Sequence, residues 1–172
     1  MQRVMIIGQP GSGKSTLARA MGAATGLPVV HIDYIHWLPD WVERSSDEKS
    51  RLCHEVEARD AWIFEGGHSL TWLTRMARAD LVVWLDLPLW RRAWRVLWRS
   101  LVWHGHTRPD LPPGCPERFG RETLPFWAYI WHTRHTGRHN IERLVAQVPA
   151  GKRVAHLRTK SEVAGFLVGL TP

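Results

Sequence analysis

Residues 8–16 read GQPGSGKST, and this stretch decides the fold of the chain. Its glycines, lysine and serine fit the spacing G-x-x-x-x-G-K-[ST], in which successive backbone N–H groups curl around one anion. The apolar run before it, residues 4–7, is typical of a buried strand, and the residues after it have helical composition. A strand, a glycine-rich loop and a helix in this order predict a cradle for the phosphates of a nucleotide.

The residues of this loop have separate expected roles at the phosphates. Lys14 is expected to reach the β- and γ-phosphates of ATP, and Ser15 to ligate Mg²⁺. The other cofactor-binding candidates belong to the same loop: Gly8, Pro10, Gly11, Ser12, Gly13 and Thr16. A glycine-rich turn that binds nothing is the alternative, and the lysine, the serine and the two flanking elements argue against it.

Length, charge and cysteine content limit the class of protein. The 172 residues suit one domain with a full core, residues 1–172, and a monomer is expected. Cys53 and Cys115 lie far apart in the sequence and predict no disulfide framework, which favours a reducing cytoplasm. The sequence shows no signal peptide, and no apolar run approaches the length of a membrane span.

The positive charge is concentrated in one segment. The formal net charge is +7, and residues 91–143 contain ten arginines against four acidic residues. Arginine favours bidentate recognition of phosphate, so this segment is expected to meet nucleotide phosphates or nucleic acid, with a solvated basic face as the alternative. Its Trp- and Arg-rich start, WRRAWRVLWRSLVWHG, leaves contact with a membrane surface open as well. The helical spacing of Trp90, Trp94, Leu97, Trp98 and Leu101 predicts a stripe that packs in the core, with stacking on nucleic-acid bases as the alternative.

Apolar runs typical of strands alternate with helical patterns along the chain. Five strands are predicted, near residues 4–7, 27–33, 61–65, 79–88 and 152–157. The sequence therefore predicts an α/β fold of the P-loop NTPase type, a five-stranded parallel sheet with helices on both faces. Ligands of such folds bind at the carboxyl ends of the strands, where Gly8, Asp33 and Glu65 are expected.

One long segment interrupts the alternation. Residues 104–122, HGHTRPDLPPGCPERFGRE, are rich in Pro and Gly and lie between two helical patterns. A loop of this length is usually functional, so it is predicted to be a lid that closes on phosphates through Arg108, Arg118 and Arg121. A zinc site formed by His104, His106 and Cys115 is a weaker interpretation.

Several stretches together resemble the small P-loop kinases of the adenylate-kinase type, and most closely the bacterial DNA topology modulation proteins. They are GQPGSGKST, HIDYIHW, WIFEGG, LVVWLDLP and the R-x-x-x-R that follows, and they cover nearly the whole chain. The resemblance implies that Arg95 and Arg99 hold the base and phosphates of the nucleotide. It also implies that Asp33 faces the acceptor hydroxyl or the metal, and that Glu65 lies in the outer shell of the metal. Asp86 also ends a strand and ranks below Glu65 for that role.

On the acceptor side the sequence differs from the pattern of the adenylate kinases. The chain has EGGHSLTW where adenylate kinases have G-F-P-R, which argues against AMP as the acceptor and leaves Arg75 to hold an acceptor phosphate. Arg121 and Arg134 resemble the arginines that flank the lid. His36 and Trp37 are further candidates for the acceptor pocket, although His36 also fits an ordinary surface histidine.

The sequence thus predicts an ATP- and Mg²⁺-dependent kinase of a nucleotide, nucleoside or similar small metabolite. Lys14, Asp33 and Arg95 are its expected catalytic residues. A nucleotide-regulated DNA-binding protein is the alternative, although the sequence contains no recognisable DNA-reading module.

Overall fold

The computed structural model describes residues 1–170, apart from the side chain of Glu122. The predicted domain, residues 1–172, therefore includes Thr171 and Pro172, which lie outside the described part. The last residue of the predicted lid segment is Glu122, whose side chain also lies outside it.

Five parallel strands form the central sheet. The seven strands of the described chain are β1 (Arg3–Gly8), β2 (Val29–His31), β3 (Trp37–Leu38), β4 (Val42–Glu43), β5 (Trp62–Glu65), β6 (Leu81–Leu85) and β7 (Arg153–Leu157). The large sheet has the order β2-β5-β1-β6-β7, and β3 and β4 form a separate antiparallel hairpin. The register places Val4 of β1 opposite Ile63 on one side and Leu81 on the other. This arrangement confirms the predicted α/β fold of a P-loop NTPase.

Helices cover both faces of the sheet. They are α1 (Lys14–Thr25), α2 (Ile32–His36), α3 (Ser46–Glu57), α4 (Trp72–Arg78), α5 (Leu89–Val102), α6 (Leu124–His132), α7 (Thr136–Val145) and α8 (Lys160–Val168). Apolar residues of α1 and α8 pack on one face of the sheet, and those of α3, α4 and α7 pack on the other. Between residues 1 and 170, none of these helices has the length and apolar character needed to cross a membrane.

The N-terminal caps of two helices follow from short side chains. The Ser45 hydroxyl accepts a hydrogen bond of 3.2 Å from the backbone N–H of Glu48, as the capping-box pattern predicts for α3. The last helix starts earlier than Ser161 suggests, because the Thr159 hydroxyl accepts the N–H of Glu162 at 3.1 Å. Thr159, and not Ser161, is therefore the cap of α8.

The second strand is shorter than predicted, and this changes how Asp33 is presented. Strand β2 ends at His31, and Asp33 lies in the first turn of α2. Ile32 and Ile35 are both buried in the core, and their spacing of three residues requires a helical turn there. Asp33 still follows the carboxyl end of β2, but a helix and not a strand carries it.

The predicted packing of the tryptophan stripe is wrong. Trp90, Trp94 and Trp98 of α5 are 67%, 62% and 60% exposed, and Leu101 is exposed too. The buried residues of α5 are Arg92, Val96 and Ser100. The helix turns this second face inward because it packs directly on the phosphate-binding loop: a Cβ on Gly11 would lie 2.5 Å from the Arg92 carbonyl oxygen. A contact this close leaves no room for indole rings.

The segment between α5 and α6 is attached to the rest of the fold. The β3–β4 hairpin holds it through three bonds: the N–H of Asp40 to the Gly114 carbonyl (2.9 Å), the Trp41 indole to the Pro116 carbonyl (3.0 Å) and the Cys115 thiol to the Leu38 carbonyl (3.2 Å). Cys115 is buried and, like Cys53, free.

The two faces of α5 predict opposite responses to truncation. Trp94→Ala should change the free energy of unfolding by no more than about 0.5 kcal/mol, because the indole is exposed. Val96→Ala should destabilise the protein by about 2 kcal/mol, because it removes two buried methyl groups beside Gly11. Urea unfolding of both variants measures this, and the reverse order of effects would show that the stripe packs in the core.

Candidate active site

The loop between β1 and α1 has the backbone of an anion cradle. Gly11 and Gly13 have φ angles of 76° and 96°, in the left-handed region that favours glycine. A Cβ on Gly13 would lie 2.6 Å from the end of the Arg95 side chain, which would have to shift, so it is the backbone conformation that favours glycine there. The N–H of Ser12 bonds to the Gln9 carbonyl at 3.2 Å and closes the turn. The loop leads into the N-terminus of α1, whose unpaired N–H groups favour an anion.

Lys14 folds back over this loop. It is the first residue of α1, and its ammonium group donates to the Gln9 carbonyl at 3.2 Å. Burial lowers the pKa of Lys14, and the carboxylates of Glu65 and Asp33 act in the opposite direction. A phosphate in the cradle would offer the buried ammonium group a full negative charge in addition to these.

The remaining loop side chains lie around the same space. Ser15 is half-buried and Thr16 is exposed at the start of α1, and Pro10 is half-buried in the loop. The hydroxyl of Ser12 is buried and has no hydrogen-bond partner within the described residues. A buried hydroxyl without a partner is unfavourable, so this oxygen is available to a ligand.

Helix α5 places two arginines on the loop. Arg95 donates to the Ser12 carbonyl at 3.1 Å, and its guanidinium lies over Gly13. Arg92 donates to the Pro10 carbonyl at the longer distance of 3.4 Å. Sequence reasoning selected Arg95 and missed Arg92. The sequence did contain a signal for Arg92. It lies three residues before Arg95 on a predicted helix, and residues at this spacing share one face.

A cavity of about 170 Å³ opens beside Arg95, between α1, α8 and the end of β6. Its walls are mainly aliphatic, with Arg95, Thr16 and Lys160 among the polar residues that line it; the aliphatic residues are Leu17, Ala20, Leu85, Leu87, Val163 and Leu167. An apolar cleft next to a phosphate cradle suits a flat heteroaromatic ring, with the Arg95 guanidinium able to stack on it.

Two carboxylates lie close enough to Lys14 for their charges to act on it. Glu65 ends β5, is buried, and pairs with His31 of the neighbouring strand, Nδ1 to Oε1, at 2.7 Å. Burial and the nearby Glu65 charge raise the pKa of Asp33 to about 6, although Arg108 and Lys14 counteract them. Asp33 can therefore accept and release a proton near neutral pH.

Sequence reasoning missed the acidic partners of the lid arginines. The guanidinium of Arg108 lies 2.6 Å from a Glu117 carboxylate oxygen and also pairs with Asp110, while Arg99 lies 3.2 Å from the same Glu117 oxygen. Arg108 is buried and is not the exposed lid tip that was expected, whereas Arg118 and Arg121 are exposed. Burial and the nearby Arg108 lower the pKa of Arg99, and Glu117 opposes them. The group keeps two cations beside Asp33 and Lys14.

His36 ends α2, and Trp37 starts the β3–β4 hairpin that holds the segment between α5 and α6. Their rings meet edge to face at 4.6 Å, and Trp37 meets Trp41 in the same way at 5.3 Å. The imidazole of His36 also lies 3.3 Å from Glu43, and burial followed by the Lys49 charge lowers its pKa.

The geometry does not support a phosphate-binding role for Arg75. Its side chain is fully buried and donates to the Gly66 carbonyl at 3.0 Å and the Thr71 hydroxyl at 3.1 Å. Its guanidinium stacks 3.7 Å above the Phe64 ring. Because all these contacts lie inside the core, Arg75 holds the end of β5 in place and does not face an open site.

Arg134 and Asp86 lie in another part of the molecule. Both line a second cavity beside α7, which does not include Arg95 but shares Leu87 with the cleft next to it. Asp86 binds Arg138 through bonds of 2.9–3.2 Å and His156 at 3.1 Å, which satisfies its carboxylate and agrees with its rank below Glu65.

The zinc interpretation has no support. Within residues 1–170, no group of three or more His, Cys, Asp or Glu side chains is arranged to hold a metal ion. His104 and His106 are exposed, whereas Cys115 is buried against Leu38.

Comparison with known proteins supports the P-loop architecture. Residues 4–85, less than half of the chain, match the family described as ATPase family associated with various cellular activities (AAA). No curated protein matches the sequence.

Many solved structures resemble nearly the whole chain, and three of them illustrate the range. The first is shikimate kinase from Acinetobacter baumannii in complex with shikimate, at 14% identity and a TM-score of 0.58, over 99% of this chain and 90% of that one. A gluconokinase from Sinorhizobium meliloti has 16% identity and a TM-score of 0.52, over 99% and 93%. Deoxyadenosine kinase from M. mycoides with bound dATP has 13% identity and a TM-score of 0.51, over 99% of both chains. Identities this low establish the fold of a small P-loop kinase and nothing about the substrate.

The raised pKa of Asp33 predicts a pH-dependent effect on stability. Well below pH 3.8 the carboxyl group is protonated in both states, but above about pH 6 the folded protein must hold a charge that the unfolded chain carries more easily. Asp33→Asn removes this charge, so it should stabilise the protein by on the order of 1–2 kcal/mol at pH 8 and by no more than about 0.3 kcal/mol at pH 3.5. Urea unfolding at the two pH values tests this; an equal effect at both would contradict it.

Proposed function

We propose that the chain is a phosphotransferase that moves the γ-phosphate of ATP to a nucleotide, nucleoside or similar small metabolite. The observation that carries the proposal is the position of Lys14. Its ammonium group lies over a glycine cradle, close enough to the carboxylates of Glu65 and Asp33 and to the arginines of α5 for their charges to act on it. A donor site and an acceptor site therefore share one cation, which is what transfer between two bound ligands needs.

The donor site would be formed by the loop and the cleft beside it. The base would enter the apolar cleft under Arg95, and the phosphates would lie against the backbone N–H groups of residues 11–15. Lys14 would leave the Gln9 carbonyl for the β- and γ-phosphates, and Arg99 would move part of its pairing from Glu117 to the transferred group. Such preorganised cations stabilise the charge that develops on the phosphoryl oxygens.

The acceptor site would lie at Asp33. Its carboxylate would accept the proton of the attacking hydroxyl as the new O–P bond forms and the bond to the β-phosphate oxygen breaks, so that ADP leaves. Arg108 lies near Asp33 and would orient an anionic group of the acceptor. For an acceptor that is already a phosphate, Asp33 would act through position and charge alone.

The residues present fit a magnesium ion bound together with ATP. The hydroxyl of Ser15 lies in the first turn of α1 on a half-buried residue, where a metal ion could reach it. Glu65 has a second carboxylate oxygen besides the one that pairs with His31. Mg²⁺ usually takes few protein ligands and completes its shell with phosphates and waters. When bound, it would neutralise charge on the β- and γ-phosphates.

The first test is a coupled ADP-release assay with ATP and Mg²⁺ against nucleoside monophosphates, nucleosides and sugar acids. One acceptor should raise turnover well above background hydrolysis. Lys14→Ala should lower that turnover by roughly 10²–10³-fold, because a preorganised cation is lost from the transition state. The matched control is Arg143→Ala, which removes one charge from an exposed position on α7. Turnover that no acceptor stimulates, or that Lys14→Ala leaves intact, would refute the proposal.

The role of Asp33 predicts a pH profile for a hydroxyl acceptor. Since the base must be ionised and its pKa is about 6, log kcat/KM should rise with a slope near 1 below pH 6 and level off above it. Asp33→Asn should abolish this rise and lower the plateau. A profile that Asp33→Asn lowers without flattening would assign Asp33 to acceptor binding only.

A nucleotide-regulated DNA-binding protein, as in the DNA topology modulation proteins, is the second candidate. The exposed indoles of Trp90, Trp94 and Trp98 favour it, since bases stack on exposed aromatic rings, and Arg91 lies over the Trp90 ring at 4.9 Å. Against it, Arg92, Arg95 and Arg99 contact the loop or Glu117 and are partly or fully buried. Binding to single-stranded DNA that falls steeply with salt and disappears in Trp94→Ala would support this candidate, and vesicle flotation would separate it from membrane-surface binding.

A further inference from the structure

A second cavity has a strongly basic wall. It has a volume of about 380 Å³ and lies where the loop after β6 meets the junction of α6 and α7. Four arginines line it, together with a single acidic residue, Asp86; they are Arg92, Arg134, Arg138 and Arg158. Residues of α7 and of the α6–α7 junction line it, whereas α1 and α8 line the cleft beside Arg95; Leu87 lies between the two and lines both.

Asp86 does not neutralise this wall. Its two oxygens accept three bonds from Arg138 alone, and His156 contacts it at 3.1 Å. Arg158 is 3.9 Å away, at the limit of an ion pair. One carboxylate is thus shared among several cations, and the wall has an excess of positive charge.

Arg92 is the least satisfied of these cations. Its residue is 3% exposed, and its Nε atom is buried without a hydrogen-bond partner in the described structure. Its one bond, to the Pro10 carbonyl, is 3.4 Å long. A buried guanidinium that faces a cavity and has such poor partners favours an anion there, because burying a cation without compensation is unfavourable.

The chemistry of the wall selects the kind of anion. Guanidinium groups bind phosphate through paired N–H donors, and several arginines around one cavity suit a dianion better than a chloride or a single carboxylate. Arg134 donates to the Trp131 carbonyl at 2.6 Å and would keep its other N–H groups for the anion. Leu87, Pro88 and Leu89 add an apolar side to the cavity, and its volume exceeds that of a lone phosphate. The cavity thus has room for a small organic group attached to the phosphate.

We propose that this cavity is a second anion site, which binds a phosphate dianion, either free or as the end group of a phosphate monoester. The site is separate from the donor site under "Proposed function" and does not depend on it. The phosphates of ATP would meet the N–H groups of the loop and Lys14, whereas this anion would meet Arg92, Arg134 and Arg158 behind Pro10.

The test is equilibrium dialysis of the full chain with radiolabelled inorganic phosphate, at constant ionic strength in chloride. It is done in the Lys14→Ala background, which weakens phosphate binding at the loop. We expect one phosphate per chain. Adding Arg158→Gln or Arg134→Gln should weaken binding by about tenfold each, the loss of one charge-assisted contact.

Arg153→Gln is the matched control. Both Arg153 and Arg158 are exposed and flank β7, but Arg153 starts the strand and is about 16 Å from Arg158. Its removal should leave phosphate binding unchanged. Equal weakening by Arg153→Gln and Arg158→Gln would reduce the effect to net charge and overturn the proposal, as would the absence of bound phosphate.

Competition identifies the source of the phosphate group. β-Glycerophosphate that displaces the label more effectively than unlabelled phosphate supports a monoester, and the reverse supports free phosphate. A short single-stranded oligonucleotide has only diester phosphates along its backbone. Displacement by it alone, and not by β-glycerophosphate, would overturn the proposal in favour of nucleic acid.

Discussion

The close approach of α5 to the phosphate-binding loop is the contact on which the arrangement of the site depends. The carbonyl oxygen of Arg92 and a methyl group of Val96 occupy the space where Gly11 would otherwise have a side chain. Because the helix lies this near, its arginines can bond to loop carbonyls directly. The same contact forces the bulky indoles to the outside. The glycine at position 11 and the choice of which face of α5 is buried therefore depend on the same close contact.

This packing places three positively charged arginines of α5 beside the phosphate-binding loop and not on the outer surface. Arg92, Arg95 and Arg99 are all partly or fully buried, although arginine is seldom buried without partners. Glu117 pairs with Arg99, while Arg92 and Arg95 have mainly carbonyl oxygens. The basic composition of the chain is therefore in part an internal property, and net charge alone says little about the outer surface.

The fold was predictable because alternating strands and helices around a glycine-rich loop admit few topologies. The helical period of α5 was also visible, but a period shows which residues share a face and not which face is buried. With indoles on one side and arginines on the other, hydrophobicity favoured the wrong side. Glu117 and Asp110 could not be predicted as partners of Arg108, since their contacts depend on how an irregular segment folds against the β3–β4 hairpin.

Gln9 links two regions that would otherwise move separately. Its side-chain amide donates to the carbonyls of Thr133 and Arg134, at 3.1 and 3.0 Å, where α6 gives way to α7. Its own backbone carbonyl accepts Lys14 and the N–H of Ser12. One residue therefore connects the α6–α7 pair to the phosphate-binding loop through hydrogen bonds. A rotation of α6 and α7 would be transmitted to the curvature of the loop within a single side-chain length, without passing through the sheet.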